Sequence, residues 1–127
     1  MATQNKTILV VDDEPDIVTF LSTVLGDHGY HTVTARDGQE ALDLVRARRP
    51  DLITLDITMP EKSGVRFYRD IKENAETKAI PIVIVTGIGE DFEKFISTRR
   101  RVAPPDGYLS KPVSAEDVLR VVQKLLG

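Results

Sequence analysis

The sequence predicts an α/β fold: a five-stranded parallel sheet with five helices on both faces, a three-layer sandwich. Two observations carry this reading. Short apolar runs recur along the chain, several without polar alternation, as expected of strands covered on both sides. Longer amphipathic segments separate them, and parallel strands joined through right-handed crossovers place such helices on both faces of a sheet. Length agrees, since 127 residues suffice for one compact domain with a real core and are too few for two. A single domain over residues 1–127 is therefore expected.

Thr7 to Val11 reads as the first strand, and Pro15 opens the helix that follows. In that helix Ile17, Val18, Leu21, Val24 and Leu25 fall on one face, with Gly26 or Gly29 as the stop. His31 to Thr34 forms the second strand. Asp37 with Glu40 has the form of a capping box, opening a helix through Ala41, Leu42 and Val45 that ends before Pro50. Leu52 to Leu55 is the third strand, followed by a helix over Gly64 to Glu73 with Val65, Tyr68 and Ile71 on one face. Ile82 to Val85 is the fourth strand, and Phe92, Phe95 and Ile96 mark a fourth helix. Pro104, Pro105 and Gly107 forbid a helix before the fifth strand at Gly107 to Leu109. Ser114 can cap the fifth helix, whose inward face carries Val118, Leu119, Val122 and Leu125.

Composition removes several function classes. With no cysteine, disulfides, thiolate zinc sites and a cysteine nucleophile are excluded. Hydrophobic residues at 41% and charged residues at 29% match ordinary globular domains rather than disordered chains. No apolar run approaches the roughly 20 residues of a membrane span, and Met1 begins no signal-peptide pattern. A cytoplasmic protein without a membrane association is expected. The net charge of -3 gives no global attraction to nucleic acid, so no direct nucleic-acid binding is expected.

Ligands of open α/β sheets bind beyond the carboxyl ends of the strands. The residues there are Asp12 and Asp13 after the first strand, Asp56 after the third, Thr86 and Gly87 after the fourth, and Ser110, Lys111 and Pro112 after the fifth. Each also has a plainer reading. Asp12, Asp13 and Glu14 suit the positive end of a helix, Thr86 an ordinary strand end, and Lys111 a solvated surface. Their joint placement favours a site. Carboxylates about 4 Å apart repel by roughly 1 kcal/mol in water and about 4 kcal/mol at an effective dielectric near 20, so the cluster should recruit a cation. His28 and His31 lie away from this rim, which leaves hard oxygen ligands and points to Mg²⁺.

Four segments now resemble one family. Val10-Val11-Asp12-Asp13-Glu14, Asp51 through Pro60 around Asp56, Val83-Ile84-Val85-Thr86-Gly87 and Tyr108-Leu109-Ser110-Lys111-Pro112 are similar to the motifs of two-component response-regulator receiver domains, in order and over essentially the whole chain. The resemblance implies a flavodoxin-like strand order 2-1-3-4-5 and a phosphorylation-switched signalling protein. It implies Asp56 as the phosphoacceptor from a sensor histidine kinase or phosphotransfer protein, and a downstream protein target. Asp12, Asp13, Asp56 and the Thr58 backbone carbonyl would hold Mg²⁺, Asp12 largely through water. Lys111 would pair with Asp56 and then with the phosphoryl group, Thr86 and Tyr108 would form the switch pair, and the Lys111–Pro112 peptide would be cis. Glu14 is expected to be a helix-end charge rather than a ligand.

The resemblance also implies no enzyme beyond Mg²⁺-dependent self-phosphorylation and self-dephosphorylation. Ile88 offers no hydrogen bond to a hydrolytic water, so slower phosphate loss than in Ile88→Glu is expected. Arg99, Arg100 and Arg101 read as a solvated helix end or a docking patch for an acidic partner. The Ala103-Pro104-Pro105 stretch departs from the family by lengthening the connection into the fifth strand. A chain running from Met1 to Gly127 suggests a stand-alone receiver. The alternatives are an excised receiver with a DNA-binding or enzymatic output domain, and a Mg²⁺-dependent phosphatase with an aspartyl-phosphate intermediate. Against the last, no second carboxylate follows Asp56 two residues on, where Thr58 stands.

Overall fold

A computed structural model describes residues 6–59, 63–87 and 105–126. Their order is β1 (Thr7–Val11), α1 (Pro15–Asp27), β2 (His31–Ala35), α2 (Gly38–Ala47), β3 (Leu52–Leu55), α3 (Ser63–Glu73), β4 (Ile82–Thr86), β5 (Gly107–Ser110) and α4 (Ala115–Leu126). The strands form one sheet in the order β2-β1-β3-β4-β5 with every neighbouring pair parallel. Fold class and strand order are those the sequence predicted. The helix expected around Phe92, Phe95 and Ile96, like Ile88 and the stretch from Arg99 to Pro104, lies outside the described residues. The expected fifth helix is α4.

Alternation along the buried strands explains the two-sided cover. Leu9, Val11, Ile53, Leu55, Ile82 and Ile84 face one core with Ala41 and Val45 of α2 and Phe67, Tyr68 and Ile71 of α3. Ile8, Val10, Leu52, Val83, Val85 and Leu109 face the other with Leu21 and Leu25 of α1 and Val118 and Val122 of α4. Each fully buried Val, Leu, Ile or Phe among them contributes roughly 1.5–3 kcal/mol, so the strand interiors are apolar on both faces and tell little about which face is which. Phe67 is 1% exposed and was not among the inward residues expected for α3.

The helix ends follow their local chemistry. The Asp37 carboxylate accepts from Glu40 N–H at 2.8 Å, while the Glu40 carboxylate turns back to Arg36 N–H at 2.8 Å. The reciprocal box thus reaches one residue further back than its usual form. Helix α1 stops where Gly29 takes φ 90°, with Gly29 N–H bonded to Gly26 O and Tyr30 N–H to Leu25 O, the glycine supplying a left-handed conformation that other residues adopt rarely. Ser114 Oγ accepts from Asp117 N–H at 3.1 Å and caps α4. Among the described residues no helix is long and apolar enough to cross a membrane.

Candidate functional site

The carboxyl ends of β1, β3, β4 and β5 meet on one rim. Adjacent register sets this up: Val11 partners Ala35 and Leu55, and Thr86 partners Ser110. The residues immediately after β1 and β3 are then anchored by the backbone, with Asp12 N–H bonded to Ala35 O at 3.1 Å and Asp56 N–H to Val11 O at 3.0 Å. Lys111 is anchored likewise, its N–H bonded to Thr86 O at 2.9 Å. The peptide between Lys111 and Pro112 is cis.

Two of the acids are almost completely removed from water, Asp12 and Asp56 each being 1% exposed. Each carboxylate closes a tight turn on a backbone N–H two residues on, a habit of aspartate at strand ends. Asp12 Oδ1 accepts from Glu14 N–H at 2.9 Å. Asp56 Oδ1 accepts from Thr58 N–H at 2.8 Å and also from the Thr58 hydroxyl at 2.6 Å. The Thr58 hydroxyl contact was not anticipated, although an Asp-x-Thr spacing after a strand carries that signal.

Charge balance comes from Lys111, whose side chain is 15% exposed. Its ammonium lies 3.1 Å from Asp12 Oδ2, 3.3 Å from Asp56 Oδ2 and 2.6 Å from Glu14 Oε1. Burial alone would lower the pKa of this ammonium, but its hydrogen bond to Glu14 and the close charges of Asp12 and Asp56 outweigh burial and raise it. Burial is the largest effect on Asp12 and raises its pKa, with the Asp56 charge adding to it and the Glu14 N–H and Lys111 opposing. Lys111 is therefore firmly protonated, and the Asp12 carboxylate is under strain of charge.

Glu14 lies at the helix end as expected, at the N-cap of α1, but its side chain makes no capping hydrogen bond. Its carboxylate instead pairs with the Lys111 ammonium, ninety-seven residues away in sequence, a contact the sequence did not suggest.

One carboxylate oxygen from each of Asp12, Asp13, Glu14 and Asp56 falls within 4.8 Å of the others. The donor set is all hard oxygen, and buried Asp12 Oδ2 accepts no hydrogen bond of good geometry, so the pocket fits a divalent cation of the Mg²⁺ kind. Thr86 ends β4 at 3% exposure, and its hydroxyl is buried without a hydrogen-bond partner. Tyr108 stands on β5 opposite Ile84, two residue pairs before Thr86 and Ser110 and so on the same face of the sheet, and is 40% exposed. Asp12, Asp13, Asp56, Thr58, Thr86 and Lys111 thus lie on the rim, with Tyr108 on its flank.

Known proteins carry the same plan. A family model described as the response regulator receiver domain matches residues 8–123. Protein PilH of Pseudomonas aeruginosa is 34% identical over 94% of this chain and 96% of its own length. The alkaline phosphatase synthesis transcriptional regulatory protein PhoP of Bacillus subtilis is 37% identical over 96% of this chain, which spans only 49% of that relative. Among solved structures, the chemotaxis response regulator CheY4 of Vibrio cholerae superposes with a TM-score of 0.82 at 31% identity, covering 94% of this chain and 98% of that one.

Proposed function

This chain belongs to the response regulator receiver domain family, and from that premise we propose that it receives a phosphoryl group on Asp56 and thereby changes which protein it binds. Receiver domains are signalling modules of two-component systems rather than enzymes acting on external substrates. The donor in this reading is a phosphohistidine of a sensor histidine kinase or phosphotransfer protein. The phosphorus–nitrogen bond breaks as the phosphorus–oxygen bond to Asp56 forms, and the imidazole leaves with the electron pair.

The observation that carries the proposal is the setting of Asp56: a buried carboxylate with Oδ1 fixed by Thr58 and Oδ2 facing the Lys111 ammonium at 3.3 Å. Fixing the carboxylate from one side orients it for in-line attack. Lys111 stands ready to stabilise charge on the transferred group. Asp12, Asp13, Asp56 and the Thr58 backbone carbonyl would hold Mg²⁺, whose chemistry here is neutralisation of the phosphoryl oxygens. The unpartnered Thr86 hydroxyl is a donor in search of an acceptor, which a phosphoryl group supplies. Movement of Thr86 toward it would open space for Tyr108 on the same sheet face, coupling Asp56 to the protein-binding surface.

Receiver output through a separate protein is the preferred form, supported by PilH, which this chain spans almost entirely. A receiver joined to an output domain is the second form, supported by PhoP, of which the chain spans about half. Mass measurement after acetyl phosphate and Mg²⁺ tests the core of the proposal. One phosphoryl group on the unaltered chain and none on Asp56→Asn is expected. Equal labelling of both would remove Asp56 from its role.

A further inference from the structure

We infer that Glu14 is a positioning residue for Lys111, giving the ammonium a place to go when a divalent cation enters between the acids; the inference rests on the receiver reading above. Three carboxylates share one ammonium, and two of them, Asp12 and Asp56, belong to the set proposed above to hold the metal. Metal and ammonium therefore compete for the same oxygens, and like charges a few ångströms apart in a buried setting repel strongly. Glu14 stands on the outer side of the contest. Its side chain is 58% exposed, yet it makes the shortest of the three contacts, 2.6 Å. The ammonium can lean toward Glu14 without leaving the site, remaining close to Asp56 for the phosphoryl group.

Two simpler roles for Glu14 compete with this one. A helix cap would bring its carboxylate to backbone N–H groups of α1, and it bonds none of them. A direct metal ligand would use the carboxylate oxygen that lies within 4.8 Å of the other acids, and the dependence on Lys111 tested below separates that role from positioning of the ammonium. Its exposure also means that removing the charge leaves no buried orphan.

The test is a double-mutant cycle read by calorimetric titration with Mg²⁺ alone. Glu14→Gln should weaken Mg²⁺ binding by about fivefold when Lys111 is present, and by less than about twofold in the Lys111→Met background, because contacting residues couple whereas independent ones add. Equal weakening in both backgrounds would overturn the inference, since Glu14 would then act on the cation directly. No weakening in either would overturn it as well. Glu14→Asp provides a second arm should Lys111→Met fail to fold. The charge stays but the reach shortens by one methylene, so weakened Mg²⁺ binding supports positioning and unchanged binding overturns it. Failure of the unaltered chain to bind Mg²⁺ would overturn this inference together with the receiver reading, whereas normal phosphoryl labelling of Asp56 with an additive cycle would overturn the inference alone.

Discussion

Lys72 and Asp106 meet at 3.3 Å on the rim opposite the acidic site, joining the last turn of α3 to the residue that precedes β5. The Lys72 side chain is only 5% exposed, and its ammonium also donates to Lys78 O at 3.3 Å and Ile80 O at 3.2 Å. Asp106 does more than balance it. Its Oδ2 accepts from Ile82 N–H at 2.8 Å while its own N–H bonds Ile82 O at 2.9 Å, so the side chain extends the β4–β5 ladder by one rung. Asp51 repeats the device between β1 and β3, accepting from Thr7 N–H at 2.8 Å and donating its N–H to Thr7 O at 2.8 Å.

Asp106→Ala strips a partner from a buried ammonium and an acceptor from a strand N–H. Breaking a buried pair costs about 3–5 kcal/mol, but Asp106 is 36% exposed, so screening reduces the expected loss to about 2 kcal/mol. Asp106→Asn keeps an acceptor for Ile82 N–H and should lose less. Asp51→Ala, which strands no cation, should cost about 1 kcal/mol, the scale of one hydrogen bond. Urea unfolding of the three variants checks the order, and an Asp51→Ala loss larger than that of Asp106→Ala would contradict it.

Gly64 sits where α3 passes against the residue that carries the proposed chemistry. A Cβ there would collide with Asp56 O and lie 2.8 Å from Ile57 Cα, both backbone atoms that cannot rotate away. Gly64→Ala should therefore cost about 1–3 kcal/mol, the range of overpacking, and slow phosphoryl labelling by shifting Asp56. Gly26→Ala is the control. Nothing lies within 4 Å of its added Cβ, so inside α1 it should stabilise by up to about 1 kcal/mol. Thermal melts of the pair and acetyl phosphate labelling of Gly64→Ala measure both halves of this expectation.

Much of the fold was legible because strands and helices differ in period. Strand bounds fell within one residue, and Ser114, Asp37 and Gly29 marked their helix ends. The site was legible as a set of positions, since a parallel sheet brings its strand ends to one rim. What escaped was the direction of long, flexible side chains. Nothing in Asp-Asp-Glu-Pro says that Glu14 bonds Lys111 rather than its own helix. The rung-extending aspartates were nearer to view, since Pro50-Asp51 and Pro105-Asp106 both precede strands. Pairing of each with the neighbouring strand depends on register, which the sequence leaves open.

Thr86 and Thr54 separate a switch from a mere buried hydroxyl. Both Oγ1 atoms are buried without a hydrogen-bond partner, one at the end of β4 and the other inside β3. A buried hydroxyl left unsatisfied costs about 1–3 kcal/mol, so Thr54→Val and Thr86→Val should each match or exceed the parent stability, by up to about 1 kcal/mol. Only Thr86→Val should lose the response to phosphorylation. Amide NMR spectra with beryllofluoride, a phosphoryl mimic, should show shifts reaching Tyr108 in the parent and in Thr54→Val. Persistence of the Tyr108 shift in Thr86→Val would dissociate the pair.

Tyr30 sets an alkaline limit on stability. Its ring is 4% exposed between the end of α1 and the start of β2, its hydroxyl has no hydrogen-bond partner, and burial raises its pKa above the ordinary value of 10.0. The folded state thus holds the proton more tightly than the unfolded chain. Stability from this group is complete below the unfolded pKa and falls as pH rises through it toward the folded value, because the unfolded state ionises first. Tyr30→Phe removes both the orphaned hydroxyl and the titration. Its urea midpoint should equal or exceed that of the parent at pH 7, and the margin should widen in its favour above about pH 10. A margin that stays constant from pH 8 to about pH 11 would show that ionisation of Tyr30 does not contribute to alkaline unfolding.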